Sequence, residues 1–121
     1  MISTGLKHGE VRLANLNPGR GTEPGKTRPV LIVQSQALLD AGHSSTLIIP
    51  LSIRLIDDAA PLRLRLPAQD KLKKDSDLLV DQLRAIDNAR LLGDPLATCS
   101  GAFMQHVYDA ICETLDIPFR R

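Results

Sequence analysis

The chain has 121 residues, of which 43% are hydrophobic and 24% charged, and its net charge is +1. It is long enough to bury one hydrophobic core and too apolar to be disordered. Aromatic residues make up 2%, which nearly excludes a site that stacks nucleic-acid bases on aromatic rings. No apolar run is long enough to span a membrane and no signal peptide opens the chain. We therefore expect a cytoplasmic protein of one domain, residues 1–121, that does not contact membranes.

Positive charge is concentrated near the N-terminus. Residues 1–35 contain five basic and two acidic side chains, a net charge of +3, whereas the rest of the chain carries −2. A basic loop on a nearly neutral body is compatible with binding phosphate groups. A solvated polar loop would explain the same charges equally well.

The cysteines and histidines predict neither a disulfide framework nor a metal site. Cys99 and Cys112 are typical of reduced core residues in a cytosolic chain. The histidines at positions 8, 43 and 106 have no zinc-like spacing to either cysteine. We therefore expect no metal and no cofactor.

Two apolar runs, residues 10–16 and 28–35, predict strands on either side of a long polar loop. Four consecutive apolar residues, Val30 to Val33, favour burial of the second strand on both faces. The loop between the strands is rich in proline and glycine, which prevent regular structure. Long loops held between strands often carry binding and catalytic residues, so the loop is the first place to look for a site.

The middle of the chain predicts several short elements. Helical composition at residues 35–41 precedes a predicted third strand at 45–51, in which Pro50 indicates an edge position or a bulge. Strict alternation at residues 62–66 predicts a strand with one buried face. The remaining predicted strand regions are 76–85, with positions 78–80 buried, and 86–91, which ends in a turn, whereas residues 94–99 are ambiguous.

The clearest predicted element is a C-terminal helix, for which Ser100 is a suitable N-cap. An apolar stripe repeats every four residues along it, at Phe103, Val107, Ile111 and Leu115. Such a stripe is far more often core packing than a functional groove, and Pro118 is expected to end the helix. Many short strands followed by one helix predict a mainly β, α+β fold, a small and strongly bent β-barrel with a C-terminal helix.

The residues that could carry chemistry are few, because no catalytic triad, P-loop or dinucleotide fingerprint is present. They are Arg28, Ser52, Glu23, Asp81 and Gln82. Arg28 stands where the loop enters a buried strand, and a guanidinium binds phosphate through two parallel hydrogen bonds. A structural ion pair of Arg28 with Glu23 or Asp81 is the alternative. Ser52 alone is most simply a strand-end hydroxyl that bonds the backbone.

Several sequence blocks stand out when they are taken in order. They are Gly9-Glu10-Val11, Gly21-x-Glu23, Thr27-Arg28-Pro29-Val30-Leu31-Ile32-Val33, and Lys74-Asp75-Ser76 followed by Asp81-Gln82-Leu83-Arg84-x-Ile86-Asp87 and Arg90-Leu91. Together, at this spacing, they resemble the MazF/PemK (Kid) family of toxin endoribonucleases, from about residue 8 to residue 115. Any one block alone would be weak, whereas the set in order is a strong signal.

The resemblance implies an SH3-like β-barrel that forms a homodimer and cleaves single-stranded RNA without a metal ion. It also implies inhibition by a cognate antitoxin whose acidic, flexible tail covers the active-site surface. By their positions in the family motifs, Arg28, Ser52 and Glu23 correspond to catalytic residues. The expected substrate contacts are Arg20, Lys26, Thr27, Asp81 and Gln82.

The chain departs from the family pattern in two places. Ser52 stands where threonine is commoner, which keeps the hydroxyl group. Leu79 stands where the PemK/Kid branch has an arginine two residues before its aspartate, so the acid–base pair of that branch is broken here. A site centred on Arg28 and Ser52 is therefore favoured, with Glu23 as the candidate proton acceptor.

The implied reaction needs no protein nucleophile. The 2′-hydroxyl of the RNA attacks the adjacent phosphorus and expels the 5′-oxygen, which leaves a 2′,3′-cyclic phosphate and a 5′-hydroxyl. Two alternatives remain open. One is a non-enzymatic gyrase inhibitor on the same fold, like CcdB, which is disfavoured because the chain lacks tryptophan. The other is a catalytically degenerate module that still binds RNA or antitoxin.

Overall fold

The computed structural model describes residues 4–23 and 25–118, and these contain seven β-strands, two α-helices and two short 3₁₀ turns. The strands are β1 (Glu10–Asn15), β2 (Thr27–Ile32), β3 (Ser45–Ser52), β4 (Arg63–Leu66), β5 (Ser76–Leu79), β6 (Arg84–Asp87) and β7 (Leu91–Thr98). The helices are α1 (Gln36–Asp40) and α2 (Gly101–Thr114), and the 3₁₀ turns are Val80–Gln82 and Asn88–Arg90. Neither α-helix in this part of the chain is long and apolar enough to cross a membrane.

The strands pair antiparallel in the order β4-β5-β3-β2-β1-β7, and β6 pairs with the first half of β3. The predicted mainly β architecture with a C-terminal helix is confirmed. The predicted barrel does not close, because β4 and β7 do not pair with each other anywhere in the described ranges. The β4–β5 loop lies in this position instead, and Lys71 N–H donates to Leu96 O of β7 at 2.8 Å.

β3 is the central strand of the sheet. It pairs with β2 along one side, while its other side pairs first with β6 and then, from Leu51, with β5. Pro50 aligns with Val30 of β2 and falls in the interval between β6 and β5. Of the two predictions for Pro50, an edge or a bulge, an outer edge of the sheet is wrong, but Pro50 does lie where one side of β3 is unpaired, and a residue without a backbone N–H fits there.

The hydrophobic core occupies both faces of the sheet. One cluster contains Leu31 and packs the sheet against Val107 of α2. The other contains Val30 and Ile32 and includes Leu39 of α1. Because successive residues of β2 alternate between the two clusters, this strand is buried on both faces, as its apolar run predicted.

The region predicted as one strand at residues 76–85 is divided into two. β5 ends at Leu79, a 3₁₀ turn follows, and β6 begins at Arg84. The turn places Asp81 on the surface and Gln82 at a half-buried position. The ambiguous residues 94–99 fall mostly in β7, which continues to Thr98.

Helix α2 begins as predicted, because Ser100 Oγ accepts a hydrogen bond from Phe103 N–H at 3.1 Å. It ends at Thr114 rather than at Pro118. Asp116 takes a left-handed φ of 58°, and Ile117 N–H donates to Cys112 O at 2.8 Å, which closes the helix end. The predicted stripe is partly wrong, because Leu115 is 56% exposed, whereas the buried residues are Met104, Val107 and Ala110.

Candidate active site

The loop between β1 and β2 is closed at its base by backbone contacts. Leu16 N–H donates to Lys26 O at 2.9 Å, and Lys26 N–H donates to Asn17 Oδ1 at 2.6 Å. Gly19 and Gly25 pack so closely that a Cβ on Gly19 would lie 2.8 Å from the Gly25 nitrogen. Side chains do not fit at this crossing, which therefore requires glycine on both strands of the loop.

Arg28, the second residue of β2, joins this loop to the central strand. Its Nε donates to Gly25 O at 3.0 Å and its Nη1 donates to Leu51 O at 3.3 Å. In the described part of the chain no carboxylate is paired with Arg28, so the alternative of an ion pair with Glu23 or Asp81 is wrong. Nη2 donates to no protein acceptor in the described part of the chain and is therefore available to another acceptor.

Ser52 ends β3 and lines the same cleft as Arg28. Its Oγ accepts a hydrogen bond from Arg54 N–H at 3.2 Å. The backbone-bonding role that a strand-end serine suggests is therefore present. The hydroxyl hydrogen stays available to donate to a ligand in the cleft.

Arg28 and Ser52 share a cleft of about 590 Å³ whose charged lining residues are all basic. The lining residues are Lys26, Thr27, Arg28, Pro29, Leu51, Ser52, Ile53, Arg54 and Arg63. Four of them are cations and none is an acid, so an anion in this cleft meets attractive charges only. The sequence prediction thus placed Arg28, Ser52, Lys26 and Thr27 together, and it missed Arg54 and Arg63.

Glu23 and Arg20 lie on the loop beyond the glycine crossing, and neither lines the Arg28 cleft. Glu23 N–H donates to Arg20 O at 2.8 Å, which forms a turn at the loop tip. The Glu23 carboxylate lies 3.7 Å from Nη1 of Arg84 on β6. The structure therefore pairs Glu23 with Arg84 instead of bringing it beside Arg28.

Asp81 and Gln82 line a second, smaller cleft of about 310 Å³. Thr22 from the loop lies on its rim, and Leu62 and Leu79 form part of its wall. Arg63 also lines this cleft, and among the described residues it is the one shared with the Arg28 cleft. The two clefts therefore adjoin at Arg63.

Asp77 forms a buried charge cluster with Arg63 and Arg65. Sequence reasoning did not find this cluster. The Asp77 side chain is 1% exposed, Oδ1 accepts from Arg65 Nε at 2.6 Å, and Oδ2 accepts from Arg63 Nη1 at 3.3 Å. Ile56 N–H also donates to Oδ2, at 2.9 Å. Burial on its own raises the pKa of Asp77, but the hydrogen bonds from Arg65, Ile56 and Arg63 outweigh burial and lower the pKa below its usual range.

The signal for this cluster was present in the sequence. The alternation at residues 62–66 predicts one buried apolar face and one exposed face that carries the arginines. Instead, Arg63 and Arg65 both donate to Asp77, the buried acid of β5. An aspartate that directly precedes two leucines in a short strand, with two arginines in the adjacent strand, is the pattern to look for. In residues 4–23 and 25–118, no three His, Cys, Asp or Glu side chains gather as ligands for a metal ion.

Comparison with known proteins gives consistent matches over nearly the whole chain. The sequence model of PemK-like, MazF-like toxins of type II toxin–antitoxin systems matches residues 7–115. A protein named endoribonuclease MazF, from Staphylococcus saprophyticus, is 36% identical over 110 residues, which are 88% of this chain and 88% of that protein.

Solved structures agree on the fold. MazF from Deinococcus radiodurans superimposes with a TM-score of 0.76 at 22% identity, covering 92% of this chain and 96% of that one. A mycobacterial endoribonuclease, solved in complex with its cognate antitoxin, superimposes with a TM-score of 0.73 at 20% identity, covering 96% and 100%. At these identities the structural matches establish the shared fold.

Proposed function

The chain belongs to the family of PemK-like, MazF-like toxins of type II toxin–antitoxin systems, and on that premise we propose that it is an endoribonuclease that cuts single-stranded RNA with the RNA's own 2′-hydroxyl as nucleophile. The observation that carries this proposal is the cleft around Arg28 and Ser52, which is lined by four cations and no acid. Such a lining suits a phosphodiester, whose charge grows in the transition state. Apolar wall residues such as Pro29 and Ile53 suit the faces of unstacked bases.

In the proposed reaction the 2′-oxygen forms a bond to the neighbouring phosphorus while the bond from phosphorus to the 5′-oxygen breaks. The products are a 2′,3′-cyclic phosphate and a 5′-hydroxyl, with water accepting the proton of the 2′-hydroxyl and donating one to the leaving 5′-oxygen. Arg28 stabilises the charge on the phosphoryl oxygens through Nη2, and the Ser52 hydroxyl donates beside it. Holding the 2′-hydroxyl in line with the phosphorus gives the reaction the advantage of proximity.

We assign four of the five predicted substrate contacts to two places. Lys26 and Thr27 border the Arg28 cleft at the end of the loop, where they are suited to the sugar and phosphate backbone. Asp81 and Gln82 border the second cleft, where carboxylate and amide groups are suited to base edges. Arg20 and Glu23 lie on the loop tip, and the Glu23–Arg84 pair argues against Glu23 as the proton acceptor.

The proposal includes two protein partners. A cognate antitoxin with an acidic segment would be attracted by the same cations as RNA, so toxin inhibition and RNA binding would compete. A second copy of the chain would form a two-fold homodimer, the commonest symmetry of soluble oligomers. Light scattering at high protein concentration tests the dimer, and a monomer mass would contradict it.

Cleavage of a defined single-stranded RNA by the purified protein in excess chelator tests the central proposal. We expect cleavage to persist, and we expect the fragments to carry a cyclic phosphate and a 5′-hydroxyl. A matched RNA with a 2′-deoxy sugar at the cleaved position should bind but resist cleavage. Cleavage of the 2′-deoxy RNA, or loss of activity in chelator, would contradict the mechanism, and an uncut RNA with intact antitoxin binding would indicate a degenerate module.

A further inference from the structure

Arg63, on β4, is held in place by two groups on one side of its guanidinium. Nη1 donates to Asp77 Oδ2 at 3.3 Å and to Arg54 O at 3.0 Å. Within the described chain, Nε and Nη2 have no protein partner, and the side chain is 22% exposed. An arginine that is anchored through one nitrogen and open at the other two is pre-organised to bind an anion.

The charge balance around Arg63 leaves room for that anion. Asp77 accepts hydrogen bonds from both Arg63 and Arg65, so one buried negative charge faces two positive charges. Arg65 has a further acid, since its Nη2 lies 2.8 Å from Asp57 Oδ1, whereas the structure pairs no second carboxylate with Arg63 in the described ranges. Of the three clefts that Arg63 lines, the one that it shares with Arg65 contains three acids, Asp57, Asp58 and Asp77. An anion is therefore favoured in the Arg28 cleft, which contains no acid, and in the neighbouring cleft, whose one acid is Asp81.

We propose that Arg63 binds the phosphate next to the one that Arg28 holds, so that an RNA strand runs from the Arg28 cleft across Arg63 to the cleft of Asp81 and Gln82. This inference rests on the proposed function and adds a second phosphate position to it. Arg63 lines both clefts, so a strand that occupies both passes beside this residue. The guanidinium can donate two parallel hydrogen bonds to two oxygens of one phosphate, whereas a neutral side chain lacks this charged pair of donors.

The test uses a fluorescein-labelled single-stranded RNA of twelve nucleotides that carries the mapped cleavage site with a 2′-deoxy sugar there, so that it binds uncut. Fluorescence anisotropy at several KCl concentrations gives the slope of log affinity against log salt. Because each phosphate contact on a single strand contributes a slope of about −0.7, Arg63→Gln should make the slope less negative by about 0.7. The matched control is Arg65→Gln, which removes the other partner of Asp77 but lines neither cleft, and its slope should equal that of the wild type.

A second measurement separates contact from structure. Replacing the phosphate beside the cleaved one by an uncharged methylphosphonate should weaken binding to the wild type and to Arg65→Gln, and should leave binding to Arg63→Gln unchanged. If Arg63→Gln is misfolded by circular dichroism, Arg63→Lys replaces it, and this variant should keep the wild-type salt slope while weakening binding several-fold.

Equal slopes for the wild type and Arg63→Gln, or a methylphosphonate effect that persists in Arg63→Gln, would overturn the inference while leaving the cleavage proposal intact. If the wild type binds the RNA but does not cleave its all-ribose form, the salt slopes alone decide on Arg63, and the proposed reaction fails separately. A wild type that does not bind the RNA overturns both.

Discussion

The buried carboxylate of Asp77 is the most informative place to perturb the fold, and Asp77→Asn is the smallest change that does so. Asparagine keeps the size of the side chain but turns one acceptor oxygen into an NH₂ group that faces N–H donors. Removing one partner of a buried ion pair costs about 3–5 kcal/mol. Since Arg63 and Arg65 are 22% and 36% exposed and can bind water instead, we expect the lower end of that range, about 3 kcal/mol of unfolding free energy.

Urea unfolding followed by far-ultraviolet circular dichroism at pH 7 measures this loss. Asp75→Asn is the matched control, because Asp75 is an exposed acid two residues earlier that accepts only from Ala68 N–H in the described chain, at 2.8 Å. An asparagine oxygen can accept the same bond, so the control should change the unfolding free energy by less than about 0.5 kcal/mol. A loss at Asp77 no larger than at Asp75 would refute the assignment of a stabilising buried cluster.

The pH dependence provides an independent check on the same residue. The pKa of Asp77 is lowered in the folded state from its ordinary value of 3.8, so its contribution is complete above that value and is lost as pH falls through the folded pKa. The difference in stability between the wild type and Asp77→Asn should therefore shrink on acidification below pH 3.8. A difference that stays constant down to the acid limit of folding would show that the carboxylate charge is not its cause.

Three further experiments test other parts of the molecule. Ser100→Ala removes the N-cap of α2 and should lower the unfolding free energy by about 1 kcal/mol in the same urea assay, whereas Ser100→Asp should not. Burial raises the pKa of the Cys99 thiol to about 11, so iodoacetamide at pH 8 should label Cys99 by mass spectrometry only after unfolding, and fast labelling of the native protein would contradict its burial. Arg28→Ala should reduce the cleavage rate by about 10²–10³ while Glu23→Gln reduces it far less, and a larger effect at Glu23 would restore that residue as the proton acceptor.

Much of the fold followed from local patterns in the sequence. Apolar alternation located β1 and β4, the run at residues 30–33 predicted a strand buried on both faces, and Ser100 marked the start of α2. Long-range pairing was not accessible in the same way. The break of β3 between two partner strands explains why Pro50 was placed at an edge, because the sequence near Pro50 contains no information about which distant segments pair beside it.

The candidate site was predictable where its residues are close in sequence or follow a family motif. Arg28 and Ser52 lie in one cleft, as expected, because β2 and β3 pair directly. Glu23 lies outside the Arg28 cleft because its carboxylate pairs with Arg84, and the sequence around Glu23 does not indicate that distant partner. Arg63 was missed because alternation along a strand predicts which residues face away from the core, and it does not predict what covers the outward face.

The close crossing of Gly19 and Gly25 has a consequence for redesigning the molecule. Because the two glycines fix both ends of the segment that lies between them, we expect that residues 20–24 can be exchanged without disturbing the strands that the loop joins. The crossing separates the loop tip from the hydrogen bond that Arg28 Nε donates to Gly25 O. Transplanting tips from relatives onto this base, with both glycines retained, would change the side chains at the tip while the contact between Arg28 and Gly25 O below it stays the same. A longer tip is tolerated as easily as a different one, since loop-closure entropy grows only slowly with length.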